Sequence, residues 1–415
     1  MRKALKAKFI LFGDKEPLHD YSVIINKERI EKIIPNSEID KSAYTVINLG
    51  DSVLMPGFVN AHIHLELNWV RKKLTSFNSF PSWLEQIINL KKQNNNREVI
   101  TQSVQQSLKE TINSGVTTIG QISSYSGLDF EEIVKSKIRT VYFFEIANST
   151  ISRINQHFFK NLRSLNKKSN GMFVLKLFPH SIYSLDTVTL EEILTKAHNE
   201  KINLGIHLSE SKDEVRLIQK KKNAFEDVIF PMLERRPRIK IRGDSPLSYL
   251  HKLNKYKSNI VLVHMNNLLK EDLKILEKQK YPVVLCPRSN LFLNQKMADL
   301  NFFLNYEKTG IGTDGLSSNF SINFLDEIKF LYLHSKRFIK KNPEKIVLEK
   351  ATLGGARALG IDKLVGTIEK NKKADLIAFR IKNNDPFMSV IDSNNNDLKL
   401  SIINGEIIKS QEYQV

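Results

Sequence analysis

The sequence contains a single cysteine, Cys286, among its 415 residues. One thiol cannot form a disulfide within the chain, and it cannot supply the several thiolates of a structural zinc site. Neither a base nor a thiolate-stabilising setting can be identified beside Cys286. We therefore predict that it is a buried strand residue and not a nucleophile.

Long apolar runs are absent as well. No run reaches the roughly 18 apolar residues of a membrane-spanning helix, so none is predicted. The basic start, Met1–Lys6, precedes an apolar stretch that Lys8 and Asp14 interrupt, which is not the pattern of a signal peptide. These observations favour a cytoplasmic protein.

Acidic residues are outnumbered by basic ones, at 45 against 63, and the formal net charge is +18. One interpretation is an anionic partner, and the other is a compositional bias toward Lys, Asn and Ile. Basic residues are spread along the chain, as in Lys220–Lys222, and no aromatic–basic motif accompanies them. We therefore predict no nucleic-acid binding, whereas an acidic small-molecule substrate stays open.

Eight apolar, strand-like runs alternate with segments of helical period. This repeat predicts an α/β fold, a (β/α)8 barrel of the TIM type, in which functional residues lie at the carboxyl ends of the strands. Helices are predicted between the runs, among them Arg97–Ser114 and one that opens at Ser245. The eight runs are Leu54–His62, Val116–Ile122, Thr140–Ala147, Phe173–Phe178, Asn203–Leu208, Ile260–His264, Pro282–Cys286 and Gly310–Thr313.

The two chain ends do not share this pattern. Residues 1–53 and 365–415 contain short β-like runs, such as Lys8–Phe12 and Leu398–Ile403, which turn signals separate. We predict that the two ends together form one small β-sandwich domain, beside a catalytic barrel over residues 54–364.

Histidine and aspartate residues stand at the ends of four of the eight runs. His62 and His64 end the first run, and their side chains point the same way because they are two residues apart in a strand. His207 lies at the end of the fifth run, His264 ends the sixth, and Asp314 follows the eighth. Imidazoles and a carboxylate that meet at a barrel mouth predict a site for Zn²⁺ or Fe²⁺.

Longer motifs surround these residues, and with them the sequence resembles the amidohydrolase superfamily over nearly its whole length. The branch is that of the chlorohydrolases and of the adenosine-type, guanine and S-adenosylhomocysteine deaminases. The motifs are Pro-Gly-Phe-Val-Asn-Ala-His-Ile-His at 56–64, Pro-His-Ser-Ile-Tyr-Ser at 179–184, His-Leu-Ser-Glu at 207–210, Val-His-Met-Asn at 263–266, Cys-Pro-Arg-Ser-Asn-Leu at 286–291, Gly-Thr-Asp-Gly at 312–315, Ala-Arg-Ala-Leu-Gly at 356–360 and Lys-Ala-Asp-Leu at 373–376.

The resemblance implies the roles of the central residues. Glu210 would carry protons to a ring nitrogen and to leaving ammonia, which needs a carboxyl group with a tuned pKa. His264 would hydrogen-bond the attacking hydroxide or the developing oxyanion, and Asp314 would accept a proton from the water. One Zn²⁺ per chain, or Fe²⁺ in its place, would be bound by four side chains: His62, His64, His207 and Asp314.

Substrate contacts are implied as well. His180 would reach the substrate from the fourth strand, and Glu210 would lie beside its ring. The S-adenosylhomocysteine and methylthioadenosine deaminases have a glutamate for the ribose after the first strand, whereas this sequence has Lys91 and Lys92 there. Glu145, near the end of the third strand, could take over polar recognition.

Two other classes of protein stay open. A binuclear amidohydrolase would need a modified bridging lysine on the fourth strand. Lys176 lies in that strand, but inside it and not at its end, so we favour a structural role. A non-enzymatic binding protein of the same fold would be expected to lack some of the ligands, and all are present. The unrelated zinc nucleobase deaminases need a Pro-Cys-x-x-Cys pair, which a single cysteine excludes.

Taken whole, the sequence is most similar to the 6-aminodeoxyfutalosine deaminases of menaquinone biosynthesis. Their substrate joins an adenine nucleoside to a benzoate, which agrees with the missing ribose glutamate and with the positive charge. The expected partner is therefore a small aminated purine nucleoside, with no nucleic acid and no membrane. S-adenosylhomocysteine, methylthioadenosine and guanine are the alternative substrates, and a homodimer stays open because such barrels often pair.

Overall fold

Strands from both chain ends lie beside a central set of eight. The computed structural model describes residues 2–13, 15–93, 96–147, 156–234, 236–240 and 244–410, apart from the side chains of residues 156–159. In chain order the strands are β1 (Lys3–Lys6), β2 (Phe9–Ile10), β3 (Leu18–His19), β4 (Tyr21–Asn26), β5 (Arg29–Pro35), β6 (Thr45–Asn48), β7 (Ser52–Pro56), β8 (Phe58–Ile63), β9 (Val116–Ser123), β10 (Arg139–Ile146), β11 (Phe173–Pro179), β12 (Leu204–Leu208), β13 (Ile260–His264), β14 (Val283–Leu285), β15 (Thr309–Ile311), β16 (Leu376–Arg380), β17 (Leu398–Ile403) and β18 (Glu406–Ser410).

The eight strands β8 to β15 form a parallel sheet in which each strand pairs with the next one along the chain. The first and last of them approach each other and close the barrel. The Asp314 N–H donates to the His62 carbonyl oxygen at 3.1 Å, and the Asn60 amide donates to the Thr313 hydroxyl at 2.8 Å. The predicted (β/α)8 barrel is therefore confirmed, with His62 and Asp314 side by side at its closure.

The prediction of one continuous strand over Leu54–His62 is wrong. The structure divides it into β7 and β8 at Gly57, where an added Cβ would lie 2.0 Å from the Thr117 hydroxyl. Both strands are fully buried, so the apolar run shows no break in its pattern. β7 pairs with β16 and β2, so the terminal sheet extends to residue 56, into the range of 54–364 predicted for the barrel. The other seven predicted runs agree with β9 to β15 within two residues at each end.

The two chain ends form the predicted sandwich. One sheet has the order β5-β4-β1-β6, and the other has the order β18-β17-β16-β7-β2-β3, so the second sheet combines both ends of the chain. Apolar side chains on the inner faces of the two sheets pack into one cluster. Its members include Leu5, Val23, Ile30, Ile47, Leu54, Leu376, Ala378 and Leu400.

Helices alternate with the barrel strands along the chain, and the predicted ones are present. Ser245 caps a helix by accepting a hydrogen bond from the Ser248 N–H. None of the helices in the described ranges is long and apolar enough to cross a membrane. The helices are α1 (Phe80–Gln93), α2 (Arg97–Asn113), α3 (Phe130–Ser136), α4 (Gln156–Lys168), α5 (Thr187–Asn199), α6 (Lys212–Ile218), α7 (Phe230–Met232), α8 (Pro246–Leu253), α9 (Lys270–Gln279), α10 (Pro287–Phe292), α11 (Leu300–Asn305), α12 (Phe324–Ser335), α13 (Pro343–Glu349), α14 (Gly355–Leu359) and α15 (Pro386–Ile391), with shorter 3₁₀ or π segments at Asn36–Glu38, Leu65–Lys73, Phe225–Ile229 and Lys350–Gly354.

A fully buried ion pair joins the barrel to the terminal sandwich. Arg139, which begins β10, donates from Nε and Nη2 to the two carboxylate oxygens of Asp375, at 2.6 and 2.8 Å. Arg139 also donates to the Gly171 carbonyl oxygen, and Asp375 accepts from the Asn404 N–H. Such a two-point pair has a fixed geometry, and it is stable only while both charges are present.

We expect Asp375→Asn to lower the free energy of unfolding by roughly 3–5 kcal/mol, because Arg139 would keep a buried charge without a counter-charge. Urea denaturation followed by circular dichroism measures the loss. Lys137→Gln is the matched control, since Lys137 pairs with Glu406 across the same two parts of the chain but both side chains are exposed. That exposed pair contributes at most about 1 kcal/mol, and equal losses in the two variants would contradict this account.

Candidate active site

Four side chains from three strand ends converge at the mouth of the barrel. His62 and His64, at the end of β8, direct Nε2 toward Oδ1 of Asp314, at 3.5 and 3.6 Å. His207, on β12, has its Nε2 3.3 Å from Nε2 of His62. All four side chains are buried. The structure thus brings together the four residues that the sequence analysis named as metal ligands, and they are called the four-donor cluster below.

The donor atoms of this cluster suit a divalent metal ion. His207 Nδ1 lies 3.1 Å from the His180 carbonyl oxygen, so Nδ1 carries the proton and Nε2 is free to coordinate. Burial lowers the pKa of both His64 and His207 well below the usual histidine value, so that these imidazoles are neutral. Three imidazoles and one carboxylate fit Zn²⁺, and they fit Fe²⁺ equally.

Asp314 is fixed in its orientation by two hydroxyl groups. Ser289 and Ser318 each donate to Oδ2 at 2.7 Å, so that Oδ1 is left to face the histidines. Burial alone would raise the pKa of Asp314, but the hydrogen bond to His62 and the neighbouring imidazoles hold it well below its usual value. The backbone of Asp314 has a φ of 58°, a conformation uncommon for a residue other than glycine and frequent at functional sites.

A buried acid and a buried base lie beside the cluster. His264 Nε2 is 3.5 Å from Glu210 Oε1, and His264 Nδ1 is 3.0 Å from the Asn290 side-chain oxygen. Burial, together with the charges of Asp314 and Glu214, raises the pKa of Glu210 well above its usual value. Burial lowers the pKa of His264 to about 4. Burial thus favours the neutral form of both Glu210 and His264.

Several residues that support this pair were not identified from the sequence. Asn290 donates to the Asn266 side-chain oxygen at 2.7 Å, and Asn266 donates to the Glu210 carbonyl oxygen at 3.1 Å. The Glu210 N–H in turn donates to Glu214 at 2.8 Å. Ser289 and Asn290 belong to a motif that the sequence analysis noted, but their partners depend on folding. Glu214 carries no signal of its own beyond its place four residues after Glu210.

A cavity of about 380 Å³ adjoins the cluster. The predicted substrate residues Glu145, His180 and Glu210 all line it, as do Lys91 and Lys92. The His180 ring stands at an angle to the ring of His207, with their centroids 5.0 Å apart. Much of the remaining wall is apolar or aromatic and includes Phe80, Trp83, Leu84, Ile87, Tyr183 and Phe230.

Lys176 lies on strand β11, and Cys286 directly follows strand β14. Neither side chain belongs to the four-donor cluster. The Lys176 ammonium donates to the Leu359 carbonyl oxygen at 2.8 Å, and burial lowers its pKa to about 7. This contact is to helix α14, so nothing in its placement supports a bridging ligand of a binuclear site. Cys286 is buried as predicted, and its burial raises the pKa of the thiol well above the usual value. A thiol of this kind is a poor nucleophile.

Comparisons with known proteins agree with this geometry. A model of the amidohydrolase family matches residues 53–408. The chain belongs to the amidohydrolase family. The resemblance found in the sequence and the prediction of a hydrolase are thereby confirmed.

Curated relatives of this amidohydrolase are named as nucleoside deaminases. It is 28% identical over 407 residues to the 5-methylthioadenosine/S-adenosylhomocysteine deaminase of Moorella thermoacetica, covering 94% of this chain and 90% of that protein. It is 27% identical over 358 residues to the aminodeoxyfutalosine deaminase of Nitratiruptor sp., covering 84% and 82%. Among solved structures, an adenosine deaminase from Xanthomonas campestris with bound zinc matches with a TM-score of 0.83 at 20% identity, covering 99% and 94%. The similarity to the Xanthomonas structure shows that the two proteins share a fold.

We expect Ser289→Ala to lower the affinity of this amidohydrolase for Zn²⁺ by about 10- to 100-fold, because one of the two hydroxyls that orient Asp314 is lost. Competition with a chromogenic chelator measures the affinity. Ser42→Ala is the control, since that hydroxyl is exposed in the terminal sandwich. An unchanged affinity in Ser289→Ala would show that the hydroxyl does not support the cluster.

Proposed function

We propose that this amidohydrolase is a mononuclear, metal-dependent deaminase of adenine-type nucleosides. The observation that carries the proposal is geometric: Glu210 and His264 face each other at 3.5 Å beside the four-donor cluster, in the wall of the cavity, where burial favours the neutral form of both groups. A cavity of a few hundred Å³ accepts a small-molecule ligand of nucleoside size. The names of the Moorella and Nitratiruptor relatives support the same reaction class.

The metal that we propose is Zn²⁺, with Fe²⁺ as the alternative, held by His62, His64, His207 and Asp314. The zinc bound to the Xanthomonas protein supports this choice. When bound, the ion supplies a Lewis acid that lowers the pKa of water and so makes a nucleophile available near neutral pH. Asp314 is the only carboxylate in the cluster, because its other three members are histidines.

Glu210, His264 and Asp314 would move the protons of the reaction. Glu210 donates to the ring nitrogen beside the carbon under attack, so that the ring can accept an electron pair. Asp314 accepts a proton from the attacking water, and His264 hydrogen-bonds the incoming oxygen. The carbon–nitrogen bond to the amino group then breaks. One water proton passes from Asp314 to the amino group and leaves with ammonia. The other passes from the new hydroxyl group to Glu210 and replaces the proton that Glu210 gave to the ring nitrogen.

The substrate that we propose is 6-aminodeoxyfutalosine, in menaquinone biosynthesis. The Nitratiruptor relative supports it, and so does the replacement of the expected ribose glutamate by Lys91 and Lys92 in the cavity wall. The Moorella relative supports 5′-methylthioadenosine or S-adenosylhomocysteine as the second candidate. A cytoplasmic location and a homodimer stay predictions from the sequence.

Glu210→Gln keeps the size of the side chain but removes the proton that it transfers, so we expect kcat to fall by about 100- to 10,000-fold. Ammonia release measures kcat, and elemental analysis of the same sample is expected to find one metal ion per chain in the variant and the wild type. Glu192→Gln, which changes an exposed carboxylate on α5, is the control. A fully active Glu210→Gln would refute the role of Glu210, and two metal ions per chain would refute the mononuclear site.

A panel of aminated substrates tests the specificity. We expect ammonia release from 6-aminodeoxyfutalosine to have a far higher kcat/KM than release from adenosine, guanine or cytosine. Including 5′-methylthioadenosine and S-adenosylhomocysteine separates the two candidate substrates. Comparable values for all compounds would refute the proposed substrate, and a higher value for 5′-methylthioadenosine or S-adenosylhomocysteine would favour the second candidate.

A further inference from the structure

Helix α1 forms one wall of the cavity. The side chains that it presents to the cavity are apolar along most of the helix and basic near its end. Phe80, Leu84 and Ile87 follow one another at helical spacing and all line the cavity, as does Lys91 one turn later. An apolar stripe that ends in an ammonium group on the same face predicts a ligand with an apolar part and an anionic end.

The helix is fixed near both of its ends by contacts to loops of the barrel mouth. The Trp83 indole N–H donates to the Ser317 carbonyl oxygen at 2.7 Å, three residues after Asp314. The Lys91 ammonium approaches the Ser124 carbonyl oxygen at 3.4 Å, just after β9, and lies 4.7 Å from the centre of the Tyr125 ring. Eight residues of helix separate Trp83 from Lys91, which is roughly 12 Å. The contact of Trp83 with the Asp314 loop and the contact of Lys91 with the loop after β9 are thus separated along the helix by a length comparable to that of a nucleoside.

The positive charge at this end of the cavity is not neutralised by a direct ion pair. Among the residues that the structure describes, no carboxylate forms an ion pair with Lys91 or Lys92, although both line the cavity. The buried Glu66 interacts electrostatically with Lys91, but its oxygens accept hydrogen bonds from Ser124 and Tyr125, at 2.8 to 3.2 Å. The Lys91 ammonium is half-buried, and its contacts are a long one to a carbonyl oxygen and one to an aromatic ring. An anionic ligand would therefore stabilise this charge more than a neutral ligand would.

We propose that Lys91, assisted by Lys92, binds a carboxylate on the part of the substrate that lies opposite the adenine. This inference rests on the proposed function, because it assigns a substrate group to the cavity of the proposed deaminase. Glu145 lines the same cavity, and its carboxylate would accept hydrogen bonds from ribose hydroxyls. In this arrangement a charged substituent, recognised by α1, sets the specificity.

The test compares 6-aminodeoxyfutalosine with its methyl ester, which has the same shape without the negative charge. Lys91→Met keeps an unbranched side chain with good helix propensity but removes the ammonium. We expect the ratio of kcat/KM for the acid to that for the ester to fall by about 10- to 100-fold, mainly through KM, since a hydrogen bond to a charged group is lost. Lys91→Arg is expected to restore most of the ratio. Lys109→Met, which removes an exposed lysine of α2, is the matched control.

An unchanged ratio in Lys91→Met would overturn the inference, and an equal loss on acid and ester would assign Lys91 a structural role. Binding is measured separately by calorimetry, with Glu210→Gln in an otherwise wild-type chain. The acid is expected to bind at least about 10-fold more tightly than the ester. Equal binding, or no binding of either, would also overturn the inference. A wild-type protein that binds the acid selectively but deaminates no nucleoside would refute the proposed function and leave the carboxylate site supported.

Discussion

The end of the barrel that carries the four-donor cluster depends on how closely the first and last strands approach each other. Gly312 has no side chain, and a Cβ there would lie 2.7 Å from the His62 carbonyl oxygen. Because the two segments come this close, the Asp314 N–H reaches that carbonyl oxygen and Oδ1 of Asp314 comes within 3.5 Å of the His62 ring. Closure of the sheet therefore also brings Asp314 to His62 in the four-donor cluster. A side chain at position 312 would separate the strands and the ligands together.

The loop after β11 contributes both to the support of the four-donor cluster and to the wall of the cavity. The His180 carbonyl oxygen accepts hydrogen bonds from both the N–H and the Nδ1 of His207, at 3.0 and 3.1 Å, and so sets the orientation of one imidazole of the four-donor cluster. The side chain of the same residue lines the cavity. A shift of this loop would move the cavity wall and the four-donor cluster at once, which couples the shape of the cavity to the geometry of the cluster.

The sequence was sufficient to predict the barrel and to predict which side chains meet at its mouth, because a barrel places the carboxyl ends of its strands on one face. An apolar run that ends in His207 or His264 is readable without a structure. Two kinds of feature could not be predicted. The break at Gly57 lies inside a continuous apolar run, since the strands on either side are both buried. The partners of Ser289 and Glu214 depend on which loops meet in space, and no spacing rule along the chain connects them to Asp314 or Glu210.

The composite sandwich has a consequence for the order in which this chain is made. Arg139 and Asp375 are 236 residues apart, and β7 pairs with a strand from the opposite end of the chain. On the ribosome, most of the barrel is therefore synthesised while Arg139 still lacks its counter-charge and while β7 still has an open edge beside the future position of β16. Contacts between such distant segments form late and slowly. Residues 375–410 thus complete the terminal sandwich, and a nascent chain that stops before them would leave Arg139 without its counter-charge and β7 without its partner β16.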